Sequence, residues 1–290
     1  VKIFKRAAPA KINLTLHITG QRDDGYHLLD SLVVFANVAD QLTARRGPAF
    51  DLTVSGPFAQ GVPTDDSNLI MRAARMLAQV RNVRDGAAIT LEKNLPHAAG
   101  IGSGSADAAA TVKLLADLWG VPTLAPSTPE IVALGADVPV CMRSPAPARM
   151  SGIGDLLGPL PALPSCALVL VRPPVDVPTG AIFKALTNRT GTAMDPLPSD
   201  LNLDAMIDWL QAQRNDLAAP AIKIAPDIGK AIAKLNAMPA VRYAGMSGSG
   251  ATCFGIVKDM GTARQVARTM QLSHMGWWVA PAEVLKPGAA

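Results

Sequence analysis

The sequence predicts a mixed α/β protein of two compact halves, on three observations. Its 290 residues exceed what one hydrophobic core usually organises. Hydrophobic residues at 49% against charged ones at 17% supply a large interior and exclude a disordered or fibrous chain. Short extended runs bounded by turn residues alternate with stretches whose apolar residues recur at helical spacing.

Taken in order, Ile12 to Ile18 predicts a strand, Gln21 to Gly25 a polar turn, and Leu28 to Val38 a second extended segment. Asp51 to Val54 and Ala87 to Lys93 predict further strands. Asn68 to Val80 predicts an amphipathic helix with Leu69, Ala73, Met76, Leu77 and Val80 on its buried side. An alanine-rich helix is expected from about Ser105 to Trp119, stopped by Gly120 and Pro122. The Pro-rich stretch Leu157 to Ser165 is the candidate boundary, giving domains 1–160 and 161–290. Beyond it come a strand at Cys166 to Val171, a loop from Thr187 to Asp200, and helices at Leu203 to Gln213 and Pro226 to Leu235. A Gly-rich segment at Gly245 to Gly250, a strand at Thr252 to Val257 and a helix at Thr262 to Ser273 complete the reading.

Composition narrows the function classes. A net charge of +4 without a long basic run suits anionic small molecules and argues against nucleic acid. Cys141, Cys166 and Cys253 form no paired spacing, so neither a zinc cluster nor a disulfide framework is expected, and a reducing compartment fits. No apolar stretch of signal-peptide or membrane-spanning length is present, so a cytoplasmic protein without membrane attachment is expected.

The strongest chemical signal is the run Leu95 to Ala110, LPHAAGIGSGSADAAA, which places Gly100, Gly102, Gly104, Ser103 and Ser105 at the mouth of a helix. Glycine lets backbone approach a polyanion, and the first helical turn adds unpaired N–H groups and the positive end of the dipole. On its own the run also reads as a helix cap with a flexible entry loop. It carries neither the lysine of a Walker loop nor the spacing of a dinucleotide fingerprint. Asp107, in the first turn, would repel a phosphate if aimed at it and is expected to turn away.

Pro96 to Ala106 resembles the phosphate loop of the GHMP kinases. Two other stretches resemble signatures of the same family in the same order: Ala8-Pro9-Ala10-Lys11-Ile12-Asn13-Leu14, and Gly245-Met246-Ser247-Gly248-Ser249-Gly250-Ala251. Within that family, Gly20 to His27 and Leu134-Gly135-Ala136-Asp137-Val138-Pro139 resemble the branch that acts on a cytidine diphosphate derivative of methylerythritol, as do Pro178-Thr179 with Phe183 and Asn215-Asp216-Leu217. Gln21, where a basic residue is common, and Ser103, where glycine is common, depart from the pattern.

The resemblance implies a two-domain α+β architecture, with a ribosomal-S5-like N-terminal half and a ferredoxin-like C-terminal half. It also implies ATP and Mg²⁺ as cofactors. Asp137 and Lys11 would be catalytic, the carboxylate accepting the proton of a substrate hydroxyl and the ammonium stabilising charge; read as bare residues, they would equally form a structural ion pair. The nucleotide would lie against Lys93, Asn94, Pro96, His97, Ala98, Ala99, Gly100, Ile101, Gly102, Ser103, Gly104, Ser105 and Ala106, with Gly248 and Ser249. Asn13, Tyr26, His27, Asp137, Thr179 and Phe183 would meet the substrate, a small molecule, while no residue is assigned to the metal. As bare residues, His97, His17 and His274 read as structural. A monomer or weak homodimer is expected. Homoserine-type or mevalonate-type kinases and a non-catalytic nucleotide sensor stay open as alternatives.

Overall fold

The computed structural model describes residues 2–288. The chain begins in β structure with β1 (Phe4–Asn13), β2 (His17–Gln21) and β3 (His27–Gly47). The single strand expected over Ile12 to Ile18 is split, because the backbone changes partners there: Leu14 N donates to Leu32 O, whereas Leu16 N donates to Arg214 O. Then follow β4 (Asp51–Ser55), α1 (Leu69–Arg81), β5 (Gly86–Glu92), α2 (Ser103–Trp119), α3 (Pro129–Leu134), α4 (Val138–Cys141), β6 (Ala148–Gly152) and β7 (Leu156–Gly158). The remainder comprises β8 (Ala167–Arg172), α5 (Thr179–Lys184), α6 (Leu203–Ala212), α7 (Ala218–Ile224), α8 (Pro226–Asn236), β9 (Tyr243–Met246), β10 (Cys253–Val257), α9 (Met260–Ser273) and β11 (Trp278–Glu283).

These elements group into two compact units that are not continuous in sequence. The first holds the segment ending at Ala10, Val38–His97 and Gly102–Ser144; the second holds Lys11–Asn37, Ala98–Ile101 and the chain from Pro145 onward. The division expected at residue 160 therefore falls inside the second unit. The physical reason is that β1 and the 21-residue β3 each run through both units.

In the first unit, the end of β3 pairs antiparallel with β5, and β4 lies parallel on the other side of β5. Helix α1 starts where the side chain of Asn68 accepts from Ile70 N and ends at Asn82 in the left-handed conformation. Its buried residues are Ile70, Met71, Ala73, Ala74, Leu77 and Ala78, so the core face is rotated from the one the spacing suggested. Helix α2 begins two residues before the expected start. Most of its residues are buried, and its alanines let α1 and α4 approach closely.

In the second unit, β3 pairs antiparallel with β2 and with β6. A separate four-stranded antiparallel sheet has the order β11-β8-β10-β9. With α8 and α9 packed on it, this is the β-α-β-β-α-β arrangement expected of a ferredoxin-like half. Residues 167–171 and all of β10 are buried, and both sequences are continuous apolar runs with no polar alternation. No helix among the described residues is long and apolar enough to cross a membrane.

Candidate active site

Three separate sequence signatures are laced together inside the second unit. Lys11 N donates to Ile101 O at 2.9 Å, and Thr252 N donates to Ala99 O at 3.1 Å. The Ser247 hydroxyl accepts from Asn13 N at 3.1 Å and donates to Gly100 O at 2.8 Å. A Cβ at Gly100, where φ is +72°, would lie 2.4 Å from Ser247 O and 2.7 Å from Gly250 O. Only glycine fits there, which accounts for that position of the loop. Ala98 also takes a positive φ, 45°, so the turn is tightly wound even where it is not glycine. Asn215 Nδ2 donates to Met246 O and Gly248 O, fixing the Gly-Ser segment from its other side.

Within the first unit, the loop enters α2. Gly102 occupies the N-cap position with φ 60° and leads into Ser103 as the first helical residue. The serine at a position where glycine is common is thus accommodated by helical backbone, and its hydroxyl points toward Pro96 O at 3.4 Å. By position, the N–H groups of Ser103, Gly104 and Ser105 have no intrahelical acceptor and form an anion-binding helix start. His97 Nε2 is bonded to Phe58 O, a structural contact.

Lys93, expected to meet the nucleotide, is held in a buried ion cluster. Its side chain is 3% exposed, and its ammonium bonds Asp40 Oδ2 at 2.5 Å and Asp107 Oδ2 at 2.6 Å. The other oxygen of Asp40 accepts from Asn94 N and Leu95 N. Asp107 is turned into the interior, as expected. Burial pushes its carboxyl up to about 7, opposed by Lys93 and reinforced by Asp40. Asp40 was not singled out by the sequence, where it stands beside Gln41 on β3 with no motif around it.

Lys11 is buried on β1 and donates to Asn13 Oδ1 at 2.9 Å; Asn13 Nδ2 in turn donates to the Ser31 hydroxyl at 2.8 Å. Asp137 is half-buried at the N-cap position of α4, held by the tight turn in which Val138 N donates to Gly135 O. That position puts a carboxylate at the start of a short helix.

His27 and Phe183, 156 positions apart in sequence, stack with ring centroids 4.8 Å apart and planes tilted by 31°. Burial, aided by the charge of Arg189, lowers the pKa of His27. Its Nε2 is buried and has no hydrogen-bond partner among the described residues. Tyr26 is 58% exposed, at the end of the turn formed by Arg22 to Gly25. Thr179 Oγ1 lies 2.9 Å from the Ser249 hydroxyl, joining the start of α5 to the Gly-Ser segment. His17 sits between Thr192 O and Arg214 N; His274 stacks on Trp277, and its Nδ1 is also buried with no hydrogen-bond partner among the described residues.

The chain matches the GHMP kinases N terminal domain over residues 68–148 and the GHMP kinases C terminal domain over residues 200–274. A Ruegeria pomeroyi protein named 4-diphosphocytidyl-2-C-methyl-D-erythritol kinase is 53% identical over 281 residues, covering 96% of this chain and 98% of its own length. A protein of the same name from Paramagnetospirillum magneticum is 48% identical, covering 97% and 99%. The crystal structure of a 4-(cytidine 5'-diphospho)-2C-methyl-D-erythritol kinase aligns with TM-score 0.77 at 29% identity, covering 97% of this chain and 99% of its own. The homoserine kinase of Cytophaga hutchinsonii, at 16% identity and TM-score 0.67 over 99% and 96% of the two chains, shares the fold. With likeness of this degree over nearly its whole length, the chain belongs to the 4-diphosphocytidyl-2-C-methyl-D-erythritol kinase family of the GHMP kinases.

Proposed function

We propose that the chain transfers the γ-phosphoryl group of ATP to the 2-hydroxyl of 4-diphosphocytidyl-2-C-methyl-D-erythritol, in non-mevalonate isoprenoid precursor biosynthesis. The observation that carries this reading is the stacked His27–Phe183 pair with its unpartnered ring nitrogen, in a chain whose full-length relatives are named for that substrate. A flat ring surface and one unpaired polar atom suit a pyrimidine base, which needs stacking and an edge contact. Tyr26 adds a second ring, and Thr179 and Asn13 add polar contacts. The turn from Pro96 to Ala106, with Gly248 and Ser249, receives the nucleotide's phosphates, chiefly through backbone N–H groups.

In the reaction, the hydroxyl oxygen forms a bond to the γ-phosphorus while the bond from that phosphorus to the β,γ-bridging oxygen breaks, and ADP leaves with the electron pair. Asp137 takes the hydroxyl proton. Lys11, oriented by Asn13, stabilises the negative charge on the transferring group. Phosphoryl transfer passes through a loose transition state, so a weak base suffices where positioning is good. Among the described residues no three acidic, His or Cys side chains converge as a metal cage. Mg²⁺ would come with the nucleotide's phosphates and supply charge neutralisation there. We place the protein in the cytoplasm, a reading in keeping with Cys166 and Cys253 as thiols outside any disulfide, and as a monomer or weak homodimer that binds no nucleic acid.

A substrate panel tests the function. ADP release is expected with 4-diphosphocytidyl-2-C-methyl-D-erythritol and not with homoserine or mevalonate. Turnover of either of the latter, with none of the former, would contradict the reading.

A further inference from the structure

We propose that Asp40, Lys93 and Asp107 form a positioning cluster that fixes both ends of the phosphate-binding turn and so sets the affinity for ATP. The proposal rests on the reading of that turn as the ATP site. The cluster lies wholly within the first unit and reaches the turn at two places. At the exit of β5, Asp40 Oδ1 accepts from Asn94 N at 2.6 Å and Leu95 N at 2.8 Å, holding the backbone just before Pro96. At the entry to α2, Asp107 is the fifth residue of the helix, one turn along from Ser103, whose N–H group is among those with no intrahelical acceptor. Lys93 joins the two carboxylates with one ammonium at 2.5 and 2.6 Å.

The composition of the cluster argues against a role in stability alone. Burying one ammonium and two carboxylates costs desolvation energy that well-packed apolar side chains of similar volume would not incur. The arrangement is also imperfect as a stabiliser, because Asp107 Oδ1 is buried with no hydrogen-bond partner among the described residues. Directional bonds do give what apolar packing does not: a defined separation between the end of a strand and the N-terminal part of a helix. Small misplacement of binding groups is costly when they must converge on one phosphate chain.

Two conservative variants approach the cluster from opposite sides. Asp107→Asn keeps the shape and loses the charge facing Lys93. Asp40→Asn keeps an acceptor for Asn94 N and Leu95 N and loses the charge facing Lys93. Titration calorimetry with a non-hydrolysable ATP analogue, and separately with 4-diphosphocytidyl-2-C-methyl-D-erythritol, reads the effect, alongside thermal unfolding. The analogue is expected to bind about tenfold more weakly to each folded variant, with the affinity for the second substrate unchanged. A single folded variant suffices to decide. Unchanged analogue affinity, equal losses for both ligands, or failure of both variants to fold would overturn the proposal and make the cluster part of the domain's framework. A wild-type chain that does not bind the analogue would instead overturn the ATP-site reading, and this proposal with it.

Discussion

At Ala98–Ile101 the second unit sets backbone against backbone, with Gly100 so close to Ser247 and Gly250 that a single methyl group would overlap two carbonyl oxygens. At His27 and Phe183 the same unit sets ring against ring, and one nitrogen has no hydrogen-bond partner among the described residues. In the function we propose, the first region meets a group common to every nucleotide triphosphate, for which backbone amides suffice, and the second tells one base from another, which takes side chains. Damage to the two regions should therefore separate: the turn affects ATP and the ring pair affects the cytidine substrate.

The largest expected effect lies outside both regions. Asp137→Asn should leave a folded protein that binds ATP yet loses at least ~100-fold in turnover, the usual scale for a general base. Near-normal turnover in a folded variant, by coupled ADP assay, would remove Asp137 from the mechanism. Next comes Gly100→Val, which places a branched side chain 2.4 Å from Ser247 O at a positive φ. Its ATP affinity should fall below detection by calorimetry while the cytidine substrate still binds; intact ATP binding would break the assignment of the turn.

Such separation explains what the sequence could reveal. The turn was legible because close backbone approach demands glycine at fixed spacing, and the stop of α2 at Gly120 was legible for a similarly local reason, whereas the cap that Asn68 supplies to α1 was not read. The ring pair was not readable from local pattern, since positions 27 and 183 meet only in the fold, and resemblance alone suggested it. Strand β11 was missed because Pro281 argues against a strand; it lies at the sheet edge, where a missing N–H is tolerated. The core face of α1 was misplaced because α2 and α3 both pack on that helix and shift its buried stripe. The Ser247 hydroxyl went unnoticed, as nothing local shows that one side chain bridges Asn13 and Gly100.

Smaller effects sharpen the ring-pair side of the comparison. His27→Ala should relax discrimination between cytidine and uridine forms of the substrate, because a site built to pair a polar edge rejects a mismatch by leaving buried groups unpaired. Kinetics with both forms checks this, and unchanged preference would make His27 structural. The smallest effect concerns pH. Burial lowers the pKa of His27 from 6.5, so the neutral ring persists as pH falls through that value. Affinity for the cytidine substrate should stay flat down to pH 6.5 and decline only below it. A decline already complete above pH 6.5 would mean that His27 is not the titrating contact.

The most direct test of the separation is Phe183→Ala, with affinities for ATP and for 4-diphosphocytidyl-2-C-methyl-D-erythritol measured on the same preparation. Loss of the stacking ring should weaken the cytidine substrate by ~1–3 kcal/mol, the range for a base on an aromatic face, and leave ATP affinity as it was. An equal loss for both ligands, or none for the cytidine substrate, would contradict the separation of the two regions.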